Sequence, residues 1–338
     1  MTDRSAACRA PSPTRCVAHT RLYRDGRLVQ QGFDVERVSD HLATPGAVVW
    51  VDLLQPDGAD MAVIQAELGL HDLAIEDALH AHQRPKLDRY ADHLFLASYA
   101  TVQQVGEVQR AEVAAFITPT AFVTVRKDPR VDLHAVLTRW DVHEPKLGRC
   151  GVGFLVHGLV DVLVDGYVDV AHDLDDQTDV LEDRLFQGAD AGADLQQRTF
   201  ALRSCVTDLR RVVVPMREVV ATMRRGDLPI ADEHLDPYLR DVDDHVVRVL
   251  EEVEAMRDQL ATALDTLLAM QGQRLNQTLF RLTAWAAILA VTTAVTGYFG
   301  QNIPYPGTEE PAGFWASTAL LVGSVGGLFW YFRRKGWL

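Results

Sequence analysis

The sequence predicts an α+β membrane protein. An N-terminal α/β domain is followed by a helical hairpin and by a very long stalk helix that continues into the first of two C-terminal transmembrane helices. Three observations predict it. Leu282 to Phe299 (LTAWAAILAVTTAVTGYF) is an eighteen-residue run without a charge, long enough for a span, and a second such run, Gly313 to Phe332, ends on Arg333-Arg334-Lys335. Upstream, steps of three and four from Leu239 land on Val242, Val246, Val249, Val253, Met256, Leu260, Ala263, Leu267 and Met270, a heptad seam that wants partner helices. Strand-like runs are confined to about the first 145 residues.

Taken in order, residues 1–20 are rich in Arg, Ser, Pro and Thr. They hold no apolar stretch long enough for a secretory signal and are expected to be a disordered leader. Val48 to Leu53 (VVWVDL) reads as a buried strand. Pro56-Asp57-Gly58 follows as a turn, and then a helix over roughly Ala59 to Leu68. A helical segment carries Leu73, Ile75, Glu76, Asp77 and Leu79. Leu94 to Ala100, Val113 to Ile117 and Phe122 to Arg126 are three more strands, the last two joined by a hairpin at Pro119-Thr120. Gly153 to Phe186 is a long helix with an acidic second half. A second runs from about Leu195 to Arg225, with Pro215 expected to kink it, and together they make a hairpin. The stalk helix is expected from about Tyr238 to Phe299. The expected division is 21–150 α/β domain, 151–230 hairpin, 231–281 stalk, 282–300 first span, 301–312 external loop, 313–332 second span and 333–338 basic tail.

A formal charge of −14 argues against nucleic acid as a partner and suits cations. Cys8, Cys16, Cys150 and Cys205 are scattered with no CxxC spacing, which fits a reduced, cytosolic body. His80-Ala81-His82 lacks the further ligands that a transition-metal site needs. With no P-loop, nucleophile elbow or HExxH, the chain does not read as an enzyme. Two spans return the C-terminus to the side of the N-terminus, and the basic cluster after the second marks that side as cytoplasmic. The link carrying Glu309 and Glu310 then faces outward, where it can concentrate cations.

The first span has a stripe of its own. Continuing the three-four count from Asn276 gives Leu279, Thr283, Ala286, Ala290, Thr293, Gly297 and Gly300, a small and mildly polar face. Such a face serves close helix packing, with the second span as partner. Alternatively, it lines a path for an ion when several copies surround a central axis.

The residues Tyr298-Phe299-Gly300-Gln301-Asn302 resemble the closing motif of the CorA family of divalent-cation channels, where a Gly-Met-Asn tripeptide ends the first of two C-terminal spans. The likeness extends to Tyr238-Leu239-Arg240-Asp241-Val242 with Asp244-His245, to Asn276, and to Pro304-Tyr305-Pro306-Gly307. It takes in the basic C-terminus as well, and upstream Val49-Trp50-Val51-Asp52-Leu53, Ile75-Glu76-Asp77, Gln83-Arg84-Pro85-Lys86 and Pro215-Met216-Arg217-Glu218. The resemblance implies a funnel-shaped homopentamer in the cell membrane, with both termini cytoplasmic and the first span lining the pore. Gly300 and Asn302 would then offer carbonyls at the outer mouth. Asn276, Leu279, Leu282, Ala290 and Thr293 would line the path, with Leu279 and Leu282 as a hydrophobic constriction. It also implies regulatory Mg²⁺ sites, with Asp77 and Glu76 facing Asp241 of a neighbouring subunit and with Asp161 and Asp165 beside them. Mg²⁺ is the expected cargo. Gln301 replaces the usual Met, and relatives that vary there include zinc transporters, so Zn²⁺, Co²⁺ and Ni²⁺ stay open. A membrane-tethered sensor that does not conduct is the competing reading.

Overall fold

The computed structural model describes residues 16–80, 83–104, 107–142, 148–186, 193–225, 228, 230, 232–301 and 311–338. Seven strands form one sheet: β1 (Val17–Arg24), β2 (Arg27–Gln31), β3 (Ala47–Leu54), β4 (Lys86–Arg89), β5 (Leu94–Gln104), β6 (Glu107–Ile117) and β7 (Ala121–Arg126), in the order β2-β1-β3-β7-β6-β5-β4. Only β3 and β7 pair in parallel; the other neighbours are antiparallel. A 3-10 turn (Val35–Arg37) and eight α-helices complete the described elements: α1 (Val38–Leu42), α2 (Gly58–Leu68), α3 (Asp72–Leu79), α4 (His134–Val142), α5 (Val152–Phe186), α6 (Ala193–Met223), α7 (Asp236–Phe299) and α8 (Pro311–Arg334).

The continuous apolar character of β3 follows from its place in the sheet, because a strand covered on both faces needs no polar alternation. Val49, Val51 and Leu53 join Met61, Ile64, Ala74, Ile75 and Ala78 of α2 and α3 in one core. The alternate positions bury Trp50 and Asp52 on the other face, where Trp50 meets Trp140 of α4 edge-on at 5.2 Å. Asp52 is 1% exposed and would be costly there alone. Arg126 of β7 neutralises it with Nε–O contacts of 3.0 and 3.1 Å, and Thr124 donates to it at 2.8 Å. The expected hairpin at Pro119-Thr120 is present, with Ile117 opposite Phe122 and Thr118 N–H donating to the Ala121 carbonyl at 2.9 Å.

Three strands are additions to the sequence reading. The expected leader through residue 20 overruns the start of β1, because Val17, Ala18, His19 and Thr20 pair with Leu54, Leu53, Asp52 and Val51. Alternation with His19, Thr20 and Arg21 hides this strand among polar residues. Every residue of the edge strand β2 is exposed, so it has no apolar face to read. β4 is only four residues long.

The chain divides into two compact units, one running to Asp183 and taking in Gln197–Leu260, the other made of Arg184–Gln196 with Ala261–Leu338. The first therefore unites the sheet with most of α5 and α6. Thr101 of β5 donates to the Gly166 carbonyl at 2.9 Å, and the Tyr167 hydroxyl donates to the Tyr99 carbonyl at 2.5 Å. α6 is continuous through Pro215. α7 is 64 residues long, and its expected seam is buried from Leu239 to Leu267, while Met270 is half-buried. Arg210 of α6 pairs with Glu254 of α7 at 2.6 Å, and Arg224 pairs with Asp243 beside it.

Candidate functional site

Two helices are long and apolar enough to cross a membrane, the end of α7 and α8, and only 11% and 6% of their most apolar windows are buried within the chain. A core helix of a soluble body would be buried; these are apolar and uncovered. α8 docks on α7 along one line. Ala284 and Ile288 are buried against Phe332, with Ala287, Val325, Leu328, Trp337 and Leu338 packed around them.

The small-residue stripe is on a different face of α7. At about 100° per residue the face of Leu279, Thr283, Ala286, Ala290, Thr293 and Gly297 is centred about 130° around the helix from the docked Ala284, Ala287 and Ile288. Asn276, Thr283, Ala286, Ala290, Thr293, Gly297, Gly300 and Gln301 are all exposed, Leu279 is 49% and Leu282 66% exposed. The second span thus does not use the stripe. Thr283 and Thr293 donate their hydroxyls to the carbonyls of Leu279 and Leu289, each at 2.8 Å, so what they present outward is oxygen lone pairs. Gly300 N–H donates to the Thr296 carbonyl at 2.9 Å, closing the last turn before Gln301. Asn302, Glu309 and Glu310 lie outside the described residues.

The acidic candidates fall into two groups. Asp77 lies in the last turn of α3, held by Lys86 at 2.6 Å and by the Gln83 amide at 3.2 Å, while Glu76 is exposed. Lys86 also reaches Asp88 at 2.6 Å. Burial lowers the Lys86 pKa, but its hydrogen bonds to Asp77 and Asp88 outweigh that and hold it above the ordinary lysine value. Asp77 therefore keeps a permanent intrachain counter-ion at neutral pH.

The second group gathers α4, α5 and α7. Asp161 and Asp165 are one turn apart on α5 and meet the guanidinium of Arg139, which contacts Asp161 and donates to Asp165 at 2.5 Å. His245 comes from α7, its Nδ1 3.9 Å from Asp165, and Asp161, Asp165 and His245 have ligand atoms within 4.8 Å of one another. Asp241 is one turn before His245 and lines, with Asp161, Arg139, His157 and Tyr238, a cavity of about 220 Å³. Two carboxylates and an imidazole at this spacing suit a divalent cation, which would have to displace Arg139. Sequence reasoning did not assign Arg139 or His245 a role. The four-residue step from Asp241 to His245 was the signal for the histidine; Arg139 had none.

A family profile described as "CorA-like Mg2+ transporter protein" matches residues 45–334. The cobalt/magnesium transport protein CorA of Thermotoga maritima is 25% identical over 353 aligned positions, covering 100% of both chains. The zinc transport protein ZntB of Pectobacterium carotovorum is 26% identical over 258 residues, 75% of this chain and 77% of that protein. The complete structure of the CorA magnesium transporter from Methanocaldococcus jannaschii superposes with a TM-score of 0.77 at 20% identity, covering 95% of this chain and 99% of that one. The profile begins just before β3 and runs to the last residue of α8, and the chain belongs to the CorA-like Mg²⁺ transporter family.

Proposed function

We propose that five copies of the chain form a divalent-cation channel in the cell membrane, admitting Mg²⁺ down its electrochemical gradient, with α7 as the inner wall and α8 toward lipid. The observation that carries this reading is the free stripe of α7. α8 covers a different face, and the face left over is small, uncharged and lined by acceptor oxygens. Mg²⁺ gives up its waters reluctantly. A wall of neutral acceptors receives hydrogen bonds from those waters without stripping them. Gly300, Gln301 and Asn302 form the outer mouth, with Glu309 and Glu310 drawing cations to it. Leu279 and Leu282 form a constriction that closes by dewetting. The bilayer potential favours entry of two charges by about 4.6 kcal/mol per 100 mV. Both termini are cytoplasmic in this arrangement.

Regulation belongs to the acidic groups. Mg²⁺ bound between Asp77 and Glu76 of one subunit and Asp241 of the next, and at Asp161 and Asp165, draws the subunits into a closed ring. Its loss releases them. Lys86 and Arg139 hold the carboxylates in the meantime, so the cation competes with built-in partners rather than entering a bare cluster.

Cation uptake into proteoliposomes, comparing Mg²⁺, Co²⁺, Ni²⁺ and Zn²⁺ with Asn302→Ala as control, tests the reading. Mg²⁺ flux lost in the variant is expected, and no flux of any ion leaves only the tethered sensor. Gln301 and the zinc-transporting relative favour Zn²⁺ as second reading, and flux of Zn²⁺ alone would establish it. Asp77→Ala with Asp241→Ala should weaken inhibition by internal Mg²⁺; unchanged inhibition removes those residues from the role.

A further inference from the structure

The last residues of the chain are built rather than trailing. After α8, Gly336 N–H donates to the Arg333 carbonyl at 3.1 Å and Trp337 N–H donates to the Phe332 carbonyl at 3.0 Å, with Gly336 at φ 74°. This is the paired hydrogen bonding of a Schellman ending, and its left-handed position favours glycine. It turns the chain back on itself. The Trp337 ring then stacks on Phe332 of α8 at 5.4 Å and 15°, and on Phe280 of α7 at 4.8 Å and 20°. One side chain therefore bridges the two membrane helices. Leu338 packs on the Ala284, Ile288 and Phe332 cluster beside it.

Phe280 directly follows Leu279 and precedes Leu282 by two positions. On a helix these three residues point in different directions, so Phe280 faces the clasp while both leucines stay on the exposed side. We propose that Trp337 is a positioning residue for the constriction. Its stack on Phe280 fixes the rotation of α7 at the level of Leu279 and Leu282, and holds the leucines where they meet their copies. The inference rests on the pore reading above. It gives the C-terminal tail a task beyond marking the cytoplasmic side.

Full-length protein in proteoliposomes tests it, by flux at an internal Mg²⁺ concentration that closes the wild type. Trp337→Ala is expected to leak up to about tenfold more, the scale of losing the one stack on Phe280, with unchanged flux at low Mg²⁺. Phe280→Ala should leak equally, the double variant no more than either, and Trp337→Phe should close again. A purely structural role would lower the melting temperature without raising the closed-state leak. If the wild type conducts while Trp337→Ala and Phe280→Ala leak no more than it does, or less, the clasp has no part in closure. If the wild type passes no divalent cation, the pore reading falls and the clasp's role with it.

Discussion

Replacing Arg126 by Met isolates the cost of one buried charge. Asp52 is 1% exposed, and its carboxylate takes Nε–H of Arg126 at 3.0 and 3.1 Å, Nη2 at 2.5 Å and the Thr124 hydroxyl at 2.8 Å. Arg126 also donates to the Val131 carbonyl at 2.6 Å, tying β7 to the segment before α4. Met fills similar volume but leaves Asp52 with a single donor, and breaking a buried pair on one side costs about 3–5 kcal/mol. For a body of this size each kcal/mol moves the melting temperature by about 2–4 °C, so the expected drop is about 6–20 °C. Tryptophan fluorescence during a thermal scan in detergent reads it directly, since Trp50 Nε1–H donates to Thr124 Oγ1 at 3.2 Å within the same network. The companion variant Asp52→Leu with Arg126→Met removes both charges and should recover most of the loss. A single variant melting within about 2 °C of wild type, or a double variant no better than the single, would refute the claim that an uncompensated charge is the cause.

Three further outcomes are expected. A Cβ at Gly158 would run into Trp140 Nε1, so Gly158→Ala should cost about 1–3 kcal/mol by overpacking, seen as a lower melting temperature; an unshifted melt contradicts the packing of α4 on α5. Burial, and then the charge of Asp60, push the Cys16 thiol up to about 12, so on the order of 10⁻⁴ of it is thiolate at pH 8. Its labelling by iodoacetamide, followed site by site by mass spectrometry, should stay slow until the pH approaches that value, and labelling as fast as free cysteine at pH 8 contradicts the burial. Single cysteines at Ala290 and Thr293, in a background lacking the native four, should react with a water-soluble thiosulfonate at least about tenfold faster than cysteines at Ala284 and Ile288. Equal rates would remove the distinction between the two faces of α7.

The legible parts of the fold were those with a strong local period. The seam from Leu239 to Leu267 could be counted from the sequence and is buried, because each of its residues answers to the same helix geometry. β3 and β7 announced themselves as apolar runs for the same kind of reason, being covered on both faces. β2, wholly exposed, and β4, alternating Lys86 and Asp88 with Leu87 and Arg89, carry no such mark. At the candidate site, Asp161 and Asp165 come from the resemblance, and their four-residue step is consistent with one helix face. Their partner Arg139 could not be placed, since the contact joins two helices and nothing local specifies it. Nor could the sequence choose which face of α7 receives α8. Ala284, Ala287 and Ile288 are hardly less suited to close packing than the stripe, and the choice is made by what Phe332 and Trp337 bring to meet them.

In the proposed channel, that choice bears on the sign of the ion. Four threonines in the span, Thr283, Thr292, Thr293 and Thr296, donate their hydroxyl hydrogens to carbonyls one turn back at 2.8 to 2.9 Å. A hydroxyl so engaged has no hydrogen left for a ligand, only lone pairs. A face carrying Thr283 and Thr293 in that state cannot donate to an anion, but it accepts from the outward-pointing hydrogens of water bound to a cation. As the wall of the proposed pore, this face would favour hydrated cations by the direction of its hydrogen bonds rather than by charge. Charge at close range would bind a divalent ion too tightly to release it. Full charges are accordingly kept off this stretch: Leu282 to Phe299 contains none, and the carboxylates of the chain lie before it or, as Glu309 and Glu310, after it in the sequence.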